Sequence, residues 1–261
     1  GRLSLCVIAR DEARFLEQCL ASVKELVDEI ILIDTGSTDD TVAVARTFGA
    51  RVHREAWTDD FSAARNRALG LATGEWILSL DCDELISPRD AAALLNALRE
   101  GTADAYRITT RNYLDEPNRT GWTACDGSYE EERGYAGWFP TSKVRLWRNR
   151  AQFRFRGAVH ELVETSILEN GGTIADCLVP VHHYGHVEKE RSEDRYLEAG
   201  QRKVKDHPDD LQARYELAIG LRDAGRCDDS LQEISFVLEH WNDAESEYPY
   251  LQEELVRLVY A

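Results

Sequence analysis

Between residues 3 and 86 the chain alternates short apolar runs with segments of helical period, and that alternation leaves few folds open. Residues 3–9, LSLCVIA, are almost continuously apolar, as a strand covered on both faces of a parallel sheet requires. EARFLEQCLASV follows, with Phe15, Leu16, Cys19, Leu20 and Val23 at helical spacing, and EIILID predicts a second buried strand ending at Asp34. In TGSTDDT, Ser37 or Thr38 is the expected cap, with Asp39 and Asp40 in the first turn of a helix over TVAVARTF that stops at Gly49. Residues 50–54 predict a third strand, Asp60 caps a helix through FSAARNRALGLA, Gly74 ends it, and EWILSL is the next strand. Strands alternating with helices in this way predict a doubly wound α/β sheet, whose ligands sit at the carboxyl ends of the strands. Asp34 and Asp81 both stand at such ends.

Ser87 and Pro88 predict the start of a further helix, closed by Gly101. The pattern then changes. AYRITTRNYL, SKVRLWRN and FRFRGAVHELVE have β character, and the polar segment 115–137 reads as a long loop. From about Arg191 the chain turns helical. DDLQARYELAIGLRDAGRCDDSLQEISFVLEHW places its apolar residues as one tetratricopeptide repeat does, two helices joined at AGR, and YPYLQEELVRLVYA could open a second. The expected division is therefore a domain over residues 1–188 and a helical, repeat-like region over 189–261. Repeats bury their faces against neighbours, so this region predicts a natural chain that continues; the absence of methionine also points to a fragment.

Charge narrows the partners. With 48 acidic and 31 basic residues the net charge is −17, which repels nucleic acids and anionic membranes. No apolar run reaches the roughly 20 residues of a spanning helix, and the first residues lack a signal peptide's apolar stretch, so a cytoplasmic location is expected. The six cysteines show no C-x-x-C spacing and predict free thiols rather than a zinc ribbon or a disulfide framework.

The chemistry gathers at SLDCDELISP, which ends a strand with three carboxylates in four positions. Acids after a strand can simply cap a turn. Alternate carboxylates in a tight turn can instead face one hard divalent cation, which cancels their repulsion and leaves coordination positions open to phosphates. A diphosphate leaving a sugar needs such neutralisation.

LSLCVIARDEARFLEQCLASV, EIILIDTGSTDDT, FSAARNRAL and GEWILSLDCDE occur in an order and spacing that resemble family 2 glycosyltransferases of the GT-A fold, a Rossmann-like mixed sheet. GAVHELVE and VHHYGH, followed by the repeat-like tail, look like the bacterial branch in which the transferase is fused to tetratricopeptide repeats. That branch includes peptide glycosyltransferases, among them S-glycosyltransferases of glycocin type. The resemblance implies an inverting enzyme that uses Mg or Mn and a nucleotide sugar, UDP-linked, and acts on a peptide, protein or glycan acceptor, with the helical tail holding the acceptor or a partner; self-association is left open. It implies that Asp34 contacts the uracil or ribose, that Arg65 approaches the base or diphosphate, and that Ala9, Arg10 and Glu12 line the nucleotide loop, although ARDE here replaces the commoner asparagine-containing form. Asp83 would ligate the metal, Asp81 the ribose or the metal, and His183 would complete the metal site; Glu84 would be a local structural residue. As general base a carboxylate is expected. Glu161 is the choice, with its neighbour His160 pointing to the opposite face if the strand is regular. Two rival classes are weaker. A degenerate fold serving only as a repeat-based binding module has no need for clustered carboxylates, and a nucleotidyltransferase would show a glycine-rich loop where this chain has ARDEAR.

Overall fold

Each period in the first ninety residues becomes the element it encodes. The computed structural model describes residues 1–117, 121–157, 161–188 and 193–240. It forms β1 (Leu3–Ala9), α1 (Ala13–Val23), β2 (Glu29–Asp34), α2 (Thr41–Thr47), β3 (Arg51–Arg54), α3 (Phe61–Leu71), β4 (Trp76–Ser79), β5 (Glu84–Ile86) and α4 (Ala91–Glu100). Then come β6 (Ala105–Tyr113), β7 (Thr123–Ala124), β8 (Gly137–Arg148), α5 (Glu164–Glu169), β9 (Ile174–His183) and α6 (Gly185–Glu188).

These strands make one mixed sheet in the order β3, β2, β1, β4, β8, β6, β9, β5, with β7 added to β8. The first four strands are parallel; β8 runs antiparallel to β4 and β6, and β9 runs parallel to β6 and antiparallel to β5. Alternation along β1 and β2 supplies two cores. Leu5, Val7, Ile30 and Leu32 pack with Leu16 and Leu20 of α1 on one face, whereas Cys6, Ile31 and Ile33 pack with Ala64 and Ala68 of α3 on the other. Parallel strands buried on both faces end together, so their carboxyl ends share one edge of the sheet.

Capping at α3 follows the expectation: the Asp60 side chain accepts from Ala63 N at 2.9 Å. At α2 it does not. That helix begins at Thr41 with Asp40 at the cap position, while Ser37 and Thr38 turn their hydroxyls to Asp11, and Asp39 accepts from Thr41 N at 2.9 Å. The described residues 153–157 and 161–163 likewise form no strand. Gly157 takes φ +92°, one bridge joins Arg156 to Leu162, and Phe153, Phe155 and Val163 enter the second core from irregular backbone before α5 begins. Their alternation arises from packing, not from a ladder. Segment 115–137 also holds structure, namely β7 and a 3-10 turn over Glu130–Glu132.

The chain divides into two compact units, residues 1–189 and 190–261. In the second, α7 (Glu193–Asp206), α8 (Leu211–Asp223) and α9 (Cys227–His240) follow one another. Helices α8 and α9 form the expected hairpin across a turn in which Gly225 takes φ +74°, with Tyr215 and Ala218 packed on Ile234 and Val237. Ser230 Oγ donates to Ala218 O at 2.7 Å, and Asp210 caps α8 by accepting from Ala213 N. The segment expected to open a second repeat lies outside the described residues. Among the described residues no helix is long and apolar enough to cross a membrane.

Candidate active site

The DCDE turn links β4 to β5. Glu84 N donates to Asp81 O at 3.1 Å, and Asp81 N donates to Glu84 Oε2 at 2.9 Å, so Glu84 braces the turn from inside. Cys82, buried, donates its thiol to Ile8 O and acts as a spacer. Arg65 reaches this turn from α3 with its guanidinium almost wholly buried. Its Nε donates to Glu161 Oε1 at 2.6 Å, Nη2 to Asp81 Oδ1 at 2.6 Å and Nη1 to Ser79 Oγ at 3.3 Å. One cation therefore joins the expected base to the first carboxylate of the acidic motif.

Two further cations, Lys143 and Arg145, stand on β8 either side of Val144, and both turn to Asp81. Arg145 lies 3.4 Å from Asp81 Oδ2 and against Glu84 Oε1, and the Lys143 ammonium, more than a third exposed, lies 3.7 Å from Asp81 Oδ2. With Arg65, Ser79, Phe155 and Glu161 they line a small cavity. Burial raises the Asp81 carboxyl, but Arg65, Lys143 and Arg145 more than offset this and hold it well below the usual carboxylate range. Glu84 goes the other way. Burial and then the charge of Asp81 push it up, with Arg145 opposing. Neither β8 cation nor Ser79 was singled out from sequence; two basic residues at i and i+2 in a strand, close to an excess of acids, is the signal that could have found the former.

Asp83 and His183 form a second cluster. The end of β9 places His183 Nε2 3.3 Å from Asp83 Oδ2, and Tyr184 N donates to Asp83 O at 3.2 Å. Burial opposes protonation of this imidazole, but its contact with Asp83 outweighs burial and raises its pKa. A Cβ on Gly185 would fall 2.4 Å from Asp83 Oδ2 and 2.6 Å from His183 Nε2, so the absent side chain leaves a cradle at the pair. A carboxylate oxygen and an imidazole nitrogen facing a space that a methyl would fill suit a divalent ion such as Mn. Among the described residues no third His, Cys, Asp or Glu completes the cluster. Asp81, expected at the ribose or the metal, is engaged by Arg65, Lys143 and Arg145.

The remaining expected residues surround the ends of β1 and β2. Asp34 is 1% exposed; its Oδ1 accepts from Ser37 N at 3.0 Å, and its Oδ2 has no hydrogen-bond partner, with Arg54 Nε 3.4 Å away. Ala9 is buried and its carbonyl accepts from Thr35 N and Oγ1, which commits it to the sheet edge. Arg10 is exposed beside Asp11, which takes φ +55°. Glu12 donates its backbone N–H to Thr41 Oγ1 at 2.7 Å and opens α1 with its carbonyl. Asp11 stitches the two loops together by accepting from Thr38 N, Thr38 Oγ1 and Asp39 N, and these bonds, the Thr38 amide first, lower its pKa. His160 lies outside the described residues.

Residues 4–157 match the family described as glycosyl transferase family 2. The chain belongs to glycosyl transferase family 2. A TPR repeat-containing protein of Synechococcus elongatus is 40% identical over 221 residues, covering 80% of this family 2 chain and 50% of that protein. The SPbeta prophage-derived glycosyltransferase SunS of Bacillus subtilis is 29% identical over 157 residues, covering 59% of this chain and 33% of SunS. The chain thus spans half or less of the length of these relatives. Among solved structures, S. aureus TarS 1-349 in complex with UDP superposes with a TM-score of 0.52 at 14% identity, over 85% of this chain and 71% of that one. Glucosyl-3-phosphoglycerate synthase from Mycobacterium tuberculosis, in complex with Mn2+, UDP and glucosyl-3-phosphoglycerate, gives 0.52 at 17% identity, over 87% and 80%. At these identities the likeness is one of fold, and the mixed sheet of this family 2 chain is the GT-A fold.

Proposed function

We propose that this chain transfers a sugar from a nucleoside-diphosphate sugar, UDP-linked, to a peptide, protein or glycan acceptor, with inversion at the anomeric carbon. The observation that carries the reading is the convergence, at the carboxyl end of the sheet, of the Asp83 and His183 pair with the Asp81, Arg65 and Glu161 chain. Asp83 and His183 would hold Mg or Mn; the bound cation neutralises charge on the diphosphate leaving group. Asp34, with one buried carboxylate oxygen that has no hydrogen-bond partner, takes a donor from the uracil or ribose. Ala9, Arg10 and Glu12 frame the loop beside it.

In the transfer the acceptor nucleophile forms its bond to the anomeric carbon as the bond from that carbon to the diphosphate oxygen breaks. The acceptor's proton passes to Glu161, whose Oε1 is fixed by Arg65 and whose Oε2 takes the proton. Arg65 acts as a positioning residue, since its three nitrogens are already committed within the protein. Lys143, the most exposed of the three cations around Asp81, adds positive charge where the diphosphate departs. Membership of the glycocin-type branch and a tail that holds the acceptor are part of this proposal, and the likeness to the glycosyltransferase SunS and the helical hairpin support them.

Titration with UDP-sugars in the presence and absence of Mn2+, read by thermal shift and calorimetry, tests the reading. Binding that requires the cation, and its loss in Asp83→Ala with an unchanged circular dichroism spectrum, is expected. A wild-type chain that binds no nucleotide sugar under either condition would move the function to a repeat-based protein-binding module.

A further inference from the structure

Asn112, on β6, is buried and touches the His183 ring from the side opposite Asp83. Its Nδ2 donates to Phe139 O at 3.1 Å and to Thr141 Oγ1 at 3.0 Å, and Thr110 O lies 3.4 Å away. Carbonyl oxygens only accept, so the amide nitrogen must lie on that side and the amide oxygen on the other. Asn112 Oδ1 then meets His183 Nδ1 at 2.7 Å. An amide oxygen cannot donate, so Nδ1 carries the ring proton. In the neutral ring Nε2 is left with its lone pair 3.3 Å from Asp83 Oδ2, also an acceptor. A cation can bridge these two atoms, a proton on the charged ring or a metal ion on the neutral one, and Gly185 leaves the room for the latter.

We propose that Asn112 is a positioning residue that holds His183 in the Nδ1–H tautomer and so presents Nε2, beside Asp83, as a metal ligand. This rests on the metal site of the proposed function. The amide acts only through the imidazole, as outer-shell partners of ligating histidines do, fixing ring orientation and the nitrogen available to the ion. The interlock spans three strands: Phe139 and Thr141 of β8 orient Asn112 of β6, which orients His183 of β9. The β8 segment that follows the 115–137 excursion thereby sets the direction of the ligand.

The test compares wild type with Asn112→Leu, which removes the acceptor at similar volume, and Asn112→Asp, which keeps it. Long-range 1H–15N correlation at alkaline pH, with the His183 ring assigned through His183→Gln, reads the tautomer without metal. Loss of the free-ion EPR signal on titration with Mn2+ reads affinity without turnover. Wild type is expected to show Nδ1–H; Asn112→Leu should shift to Nε2–H and bind Mn2+ roughly 10- to 100-fold more weakly, and Asn112→Asp should keep the tautomer. An Nε2–H ring in wild type overturns the proposal, as does an Asn112→Leu protein with unchanged tautomer and Mn2+ affinity. Should Asn112→Leu fail to fold, the wild-type tautomer and Asn112→Asp still decide. If the tautomer responds as expected but wild type takes up no Mn2+, the metal reading falls and the orienting role of Asn112 stands.

Discussion

Arg65 is the side chain whose removal would be felt most widely, because it is almost wholly buried and bonds two carboxylates, Glu161 and the part-exposed Asp81. Breaking a buried pair by deleting one partner leaves charge uncompensated, so Arg65→Met should lower stability by about 3 kcal/mol, read from urea midpoints. Lysine is no substitute, since a single ammonium cannot serve Glu161, Asp81 and Ser79 at three different nitrogens. Glu161→Gln should bind the UDP-sugar with unchanged affinity yet turn over at least about 100-fold more slowly; an unimpaired single-turnover rate would remove Glu161 as the base. His182 makes the pH prediction. Burial, and then the cations Arg111, Arg89 and Arg133, push its pKa from 6.5 down to about 3. The folded ring stays neutral where the unfolded ring takes a proton, so its contribution is fully present above pH 6.5 and lost as pH falls towards 3. Between pH 6.5 and 4.5 that amounts to about 2 kcal/mol, and His182→Gln should flatten this part of the stability profile in urea titrations at the two pH values.

At the scale of elements, α3 ties local capping to the site, because the helix that Asp60 caps is the one that carries Arg65. Asp60→Ala should cost about 1 kcal/mol, measured by thermal or urea unfolding. The same scale explains what could be read beforehand. From β1 to β4 every element except the part-exposed β3 buries a face, so period and capping residues describe it, with Asp34 at the end of β2, Arg65 within α3, and Asp81 and Asp83 in the turn after β4. Strand β9 escaped because Pro180 and a bulge opposite Ile108 and Thr110 break its period. The stretch 153–164 misled for the opposite reason: Phe153 and Phe155 alternate like a strand, yet they are anchored one at a time in a core beneath α3. Lys143, Arg145 and Asn112 were invisible for another reason. Their roles depend on which strand lies beside which, and β8 reaches Asp81 because it pairs with β4, distant in sequence, as well as with its neighbours β6 and β7.

For the whole molecule, the division at residue 189 separates the proposed donor chemistry from the helical hairpin. A chain cut after Lys189 should keep its Mn2+-dependent UDP-sugar thermal shift while glycosylating its acceptor more slowly than the full chain at limiting acceptor concentration. Equal rates would remove the tail as the acceptor's holder. A last consequence concerns insertion and deletion. Along β9, Cys177 pairs with Ile108 and Val181 with Thr110, so the bulge, where Leu178 is 98% exposed, adds two residues to one strand. Two is an even number. The parity of the strand survives the interruption, and of two adjacent histidines His183 meets Asp83 while His182 meets Tyr113. Removing a single residue from the bulge would exchange their duties, delivering the imidazole now packed among aromatics to the carboxylate and sending the present ligand into the aromatic layer. The bulge works as a reading frame for side chains, tolerant of pairs and intolerant of ones.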